Sequence, residues 1–204
     1  MISLMQQIIG WFGWGNGIGA LAGISAILTA AIIIAPVVAG YLVNMLRYLG
    51  MALLNAISRE FAIFFDHYLT IPGLFAHELS HLCLCVITGG EILEFNISAN
   101  DNTAHGNISL RERGPWFIKA MQRSLTAVAP TLICFALSFF LLRIFWTREC
   151  SIWASIGIWY MVISLIGHAN MSNADLQHYF GGVWIFIVPL FALFFISGQL
   201  IERG

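Results

Sequence analysis

Charge is what this chain has least of. Only 9% of its 204 residues are Asp, Glu, Lys or Arg, against 59% hydrophobic, whereas soluble domains carry about 25% charged residues. That scarcity excludes an ordinary soluble domain and reads as an integral membrane protein. The nine basic residues are scattered and the formal net charge is −1, so there is no basic stripe for nucleic acid. No charged residue precedes Arg47. The start therefore lacks the basic region of a cleaved signal peptide, and the first apolar segment is expected to remain as a span. Cysteine is limited to Cys83, Cys85, Cys134 and Cys150. Three of these lie in apolar helical sequence, where cysteine usually acts as a small hydrophobe. Internal repeats and low-complexity tracts are lacking, and the length suits one domain of about five or six spans without a large soluble module.

A single integral membrane domain is expected over 1–204. Residues 18–46 form an uncharged apolar run. At about 1.5 Å per residue it exceeds a bilayer core of about 30 Å, so it should tilt, or kink at Pro36. Segment 51–69 is apolar but carries Arg59, Glu60, Asp66 and His67, which suits an interfacial or partly buried helix. Pro72 fits the first turn of the next helix, 72–88, which should stop at Gly89-Gly90. The period then changes. Leu93, Phe95 and Ile97 alternate with Glu94, Asn96 and Ser98; after Asn100-Asp101-Asn102 the alternation resumes through Ile108 and Leu110. Period two on both sides of a turn cluster predicts a β-hairpin over 91–110. A hairpin cannot face lipid alone, so it belongs at the interface or against a protein cavity. Segments 116–142, 152–166 and 183–200 read as further spans. The expected fold class is thus an all-α polytopic membrane protein with a small β-hairpin, multi-pass, most simply in a prokaryotic plasma membrane.

Within this apolar background stands His77-Glu78-Leu79-Ser80-His81. On a helix, positions i and i+4 share a face, so the two imidazoles can close on one metal ion. Glu78 lies one residue round from His77, placed to act on water at that metal. Histidine and glutamate are costly in lipid, so their presence there points to function. The competing reading is a pair of hydrogen-bonded histidines in a polar bundle interior. Cys85 shares the His77/His81 face two turns on, where packing is its simpler role. Catalytic zinc takes three protein ligands and keeps a fourth position open. Asp175 is the best third ligand, because it is the only acid between Glu149 and Glu202 and falls in a polar stretch between two spans. His168, His178 and Glu91 are the alternatives.

The segment Phe75-Ala76-His77-Glu78-Leu79-Ser80-His81, followed by Thr88-Gly89-Gly90-Glu91-Ile92 and a hairpin, resembles the site-2 protease family of intramembrane zinc metalloproteases, in its short, minimal branch. His168-Ala169-Asn170-Met171-Ser172-Asn173-Ala174-Asp175-Leu176 sits where the distal aspartate motif of that family falls. Better-known members carry Leu-Asp-Gly there; here Leu176-Gln177 follows the aspartate. The resemblance covers roughly 71–200. It implies one Zn2+ per chain held by His77, His81 and Asp175, with Glu78 as general base toward a zinc-activated water. It also implies a single-span membrane protein as substrate. An oxyanion stabiliser is needed as well; Asn170, Asn173 and His168 are candidates, with His168 alternatively supporting a ligand from behind. The other reading is a non-proteolytic membrane chaperone, assembly factor or interaction protein that keeps the fold. A metal transporter would carry more intramembrane acids and histidines than these.

Overall fold

The computed structural model describes residues 17–100 and 103–203. Seven α-helices and one hairpin follow in order among these residues: α1 (Ile18–Ile57), α2 (Arg59–Phe64), a π turn (Phe65–Leu69), α3 (Ile71–Ile87), β1 (Glu91–Asn100), β2 (Thr103–Arg111), α4 (Trp116–Thr147), α5 (Ile152–Gly167), α6 (Asn173–Gly182), a 3-10 turn (Val183–Phe186) and α7 (Ile187–Arg203). This is the expected all-α membrane fold with a small hairpin. Three stretches are long and apolar enough to cross a membrane: Ile18–Ile57, Trp116–Thr147 and Asn173–Leu200. Helices α3 and α5 have 17 and 16 residues, about 25 Å of helix, which falls short of a bilayer core of about 30 Å. Five or six helices of full spanning length are therefore not found among the described residues.

The boundaries differ from the sequence reading most at the end of α1 and the start of α6, and α4 runs on to Thr147. Helix α1 runs 40 residues, through Gly50 and on to Ile57. One glycine costs a helix only about 1 kcal/mol, which a long apolar run absorbs. The break falls instead at Ser58, whose hydroxyl accepts from the Phe61 N–H at 3.2 Å and caps α2. The polar stretch before the last span is itself helical from Asn173.

Two compact units divide the chain, 1–35 with 183–204 and 36–182. In the first, Ser25 and Thr29 are buried, and their hydroxyls donate to the Leu21 and Ser25 carbonyls at 2.8 and 2.7 Å. Local bonds of this kind satisfy a hydroxyl where no water is available.

The second unit holds the motif. Helix α3 packs against α4, α5 and both strands, while α4 also packs on α5 and α6. Its apolar core is Val43, Cys134, Leu165 and Ala169, with Ala76, Leu141 and Ile166 against them. Ser80, Ser124, Thr131 and Ser164 are buried, while Leu42, Phe139, Phe140 and Ile163 are exposed. Small polar residues inside and large apolar ones outside is the pattern of helices packing in lipid. Two glycines permit the closest approaches. A Cβ on Gly73 would overlap the Ser164 carbonyl, and one on Gly182 would overlap the Ala120 carbonyl. The Gly73 N–H donates to Ser164 Oγ at 2.8 Å, pinning α3 to α5.

The strands pair antiparallel from Glu91↔Arg111 to Asn100↔Thr103. Residues 101–102, the centre of the expected turn, lie outside the described residues. The register shifts between Ile92 and Glu94. Leu93 is therefore the extra residue of a bulge, a device that re-aims a side chain.

Candidate metal centre

Three helices bring the site together. Helix α3 carries His77, Glu78 and His81 on its inner side, α6 carries Asp175, and α4 backs them. The rings of His77 and His81 stand edge to face with centroids 5.0 Å apart, as successive turns of one helix require.

Each ring is anchored from behind. His77 Nδ1 lies 2.7 Å from the His168 carbonyl oxygen, and His81 Nδ1 lies 2.9 Å from the Thr126 carbonyl oxygen. A carbonyl only accepts, so both Nδ1 atoms carry a proton, and each ring in its neutral form presents an unprotonated Nε2. Those two Nε2 atoms face each other at 3.3 Å. Two lone pairs at that distance repel unless a cation lies between them. Asp175 Oδ1 is the third donor, 3.6 Å from His81 Nε2. All three donor atoms lie within 4.8 Å of one another, so this group could hold a metal ion. Ligands about 2.0–2.1 Å from a tetrahedral zinc stand about 3.3–3.4 Å apart. The two imidazole Nε2 atoms stand at that separation, and the anchors from behind are of the kind that metal-binding histidines use.

Asp175 is oriented too. Its Oδ2 accepts from the Ser172 N–H at 2.9 Å and the Ser172 hydroxyl at 2.7 Å. The Ser172 hydroxyl in turn accepts from the Asp175 N–H at 3.1 Å. This is a capping box, and the Ser-x-x-Asp signature was there to be read. It leaves Oδ1 to face the imidazoles.

Glu78 is 8% exposed and lines the same cleft of about 520 Å³ as the three donors. Leu93, brought in by the bulge, lines it as well, together with Leu110, Gln122, Arg123 and His178.

Of the expected accessory residues, His168 supports His77 from behind through its backbone carbonyl, whereas the other two do not line the cleft. The His168 ring is buried and lies against the Ser164 carbonyl at 3.1 Å; it is the His168 backbone that serves the site. Asn170 and Asn173 are absent from the cleft lining, and Asn173, two residues before Asp175, projects from the opposite side of α6. Glu91 is engaged by Arg113 at 2.8 Å. Cys85 lines the cleft but stays outside the donor group. Sequence reasoning missed the carbonyl of Thr126, and that His168 acts through its backbone, because a backbone anchor leaves no mark in residue identity.

Comparison of the chain with protein-family models, with curated proteins and with solved structures finds no match.

Proposed function

We propose that this chain is an intramembrane zinc metalloendopeptidase of the site-2 protease kind, multi-pass in a prokaryotic plasma membrane. It would hydrolyse peptide bonds in or near the transmembrane segment of a single-span membrane protein. The observation that carries the reading is the pair of Nε2 atoms 3.3 Å apart, with Asp175 Oδ1 beside them and Glu78 in the same cleft. A buried metal site with a structural task has no need of a carboxylate base next to its first ligand.

Zinc, when bound by His77, His81 and Asp175, supplies Lewis acidity toward water and the scissile carbonyl. Glu78 takes a proton from the attacking water and hands it to the leaving amine. The hairpin supplies a strand edge next to the reacting groups. A substrate helix keeps its peptide groups in internal hydrogen bonds, so it must unwind first, and the unwound segment can pair with that edge. Proline at Asn96 or Asn107 should then lower cleavage with zinc retained.

The deciding experiment is the zinc content of the detergent-purified protein, for wild type, Asp175→Ala and Glu78→Gln. The reading expects about one zinc per chain in wild type and Glu78→Gln, and loss in Asp175→Ala. Cleavage of co-expressed single-span proteins should vanish in both variants. Folded wild type that takes up no zinc overturns the reading and leaves an assembly or interaction role.

A further inference from the structure

One side chain in the cleft has hydrogen-bond donors and no task assigned to it. His178 lies on α6 one turn after Asp175, so the two side chains share a helix face. It is exposed, and it lines the cleft with His77, Glu78, His81 and Asp175. Its ring nitrogens do not join the group of three donor atoms that lie within 4.8 Å of one another. His178 therefore stands one step out from the metal donors. A group that contacts a bound carbonyl, rather than the metal itself, belongs among such lining residues.

Two larger polar side chains of the cleft are committed. Gln122 accepts from the Arg113 N–H at 2.9 Å and donates to the Thr88 carbonyl at 2.8 Å. Arg123 is held by both oxygens of Glu112, at 2.8 and 2.9 Å. The ring of His178 takes no part in these bonds or in those that orient His77, His81 and Asp175.

We infer that His178 is a catalytic residue that donates a hydrogen bond to the carbonyl oxygen of the scissile peptide. This rests on the hydrolytic reading above. As the water oxygen adds to the carbonyl carbon, the π pair of the C=O bond moves onto oxygen, and the His178 N–H holds the charge growing there. The pair then returns, the C–N bond breaks, and the amine leaves with the proton that Glu78 took from water. The second water proton stays with the new carboxyl group. A hydrogen-bond donor at such a position is worth up to about 10²–10³ in rate, and a neutral imidazole supplies one N–H for it.

The test uses the full chain loaded with zinc in detergent micelles and two probes. Acetohydroxamate binds the metal alone. A phosphinic pseudo-dipeptide of Leu and Ala carries a tetrahedral oxyanion where the scissile carbonyl would be. In His178→Ala, zinc stoichiometry and the acetohydroxamate Kd should match wild type, while the phosphinate Kd rises about tenfold or more. His178→Gln, which keeps an N–H donor, should recover part of that loss. An unchanged phosphinate Kd in His178→Ala, with zinc and acetohydroxamate binding intact, overturns this inference alone. Zinc loss in both His178 variants makes the residue a ligand and likewise overturns it. Wild type that binds no zinc overturns the hydrolytic reading and the role of His178 with it.

Discussion

Ser172 and Asp175 clasp each other at the start of α6, each serving as donor and acceptor to the other. One carboxylate oxygen is spent on the helix cap and the other faces His81. The candidate metal site and the start of α6 thereby share one side chain. Ser172→Ala should weaken zinc about 10- to 100-fold, the usual effect of removing a group that orients a ligand. Loss of the cap should also cost about 1 kcal/mol of stability. Ser172→Thr, which keeps the hydroxyl, should lie near wild type. Competition with a chromophoric chelator measures both; equal affinity in all three proteins would remove that orienting role.

Gly73 sets the distance between α3 and α5. A Cβ there would meet the Ser164 carbonyl and His168 Nδ1, and the His168 carbonyl is what anchors His77. Gly73→Ala should destabilise the protein by about 1–3 kcal/mol, the usual cost of overpacking, and lower zinc affinity as well. Gly50→Ala is the control, because nothing lies within 4 Å of a Cβ at that position. It should be neutral or stabilising by about 0.5–1 kcal/mol, as for an unconstrained mid-helix glycine. Thermal unfolding in detergent compares the two.

Gln122, 3% exposed, ties the end of α3 to the segment after β2 through one amide. Replacing it with Leu removes the partner of a half-buried backbone N–H and of a carbonyl, at about 0.5–1.5 kcal/mol for each hydrogen bond lost. Hydrogen exchange of the Arg113 amide should accelerate strongly, while amides in the middle of α5 stay protected. Unchanged exchange at Arg113 would show that the hairpin base is held by other contacts.

Glu112 lies between β2 and α4, and its hydrogen bonds from Arg123 hold its carboxyl below the ordinary range, against an opposing effect of burial. The folded state therefore binds this proton less readily than the unfolded chain. The stabilisation is present above the ordinary glutamate pKa of about 4.3 and is lost as pH falls through the depressed folded value. The pair is partly exposed, so its worth is at most about 1 kcal/mol. The melting temperature of Glu112→Gln should fall below wild type near neutral pH, and the gap should close on acidification past the carboxylate range. A gap that does not change with pH would assign the effect to packing.

Much of the site's local grammar was legible. The helical spacing of His77 and His81 and the alternation around Phe95 and Ile108 report backbone periods of 3.6 and 2, which need no tertiary contact. Leu93 was legible only as one more member of that alternation. The bulge that turns it toward the cleft arises in pairing with Leu110 and Ser109. Asn170 and Asn173 were attractive because they are polar and close to Asp175 in sequence. Rotation about the α6 axis separates Asn173 from Asp175, and the chain enters the helix with Ser172 in the place that matters.

The sequence by itself determined the membrane class and the motif helix. Scarcity of charge and helical spacing are local properties that survive any arrangement of the helices. The tertiary structure alone decided which atoms meet. His77 and His168 are 91 residues apart, and His81 reaches Asp175 only because α4 packs against both α3 and α6. Contacts over such separations depend on small residues such as Gly73 and Gly182 letting backbones approach. Side-chain chemistry along the chain does not encode the direction of that approach.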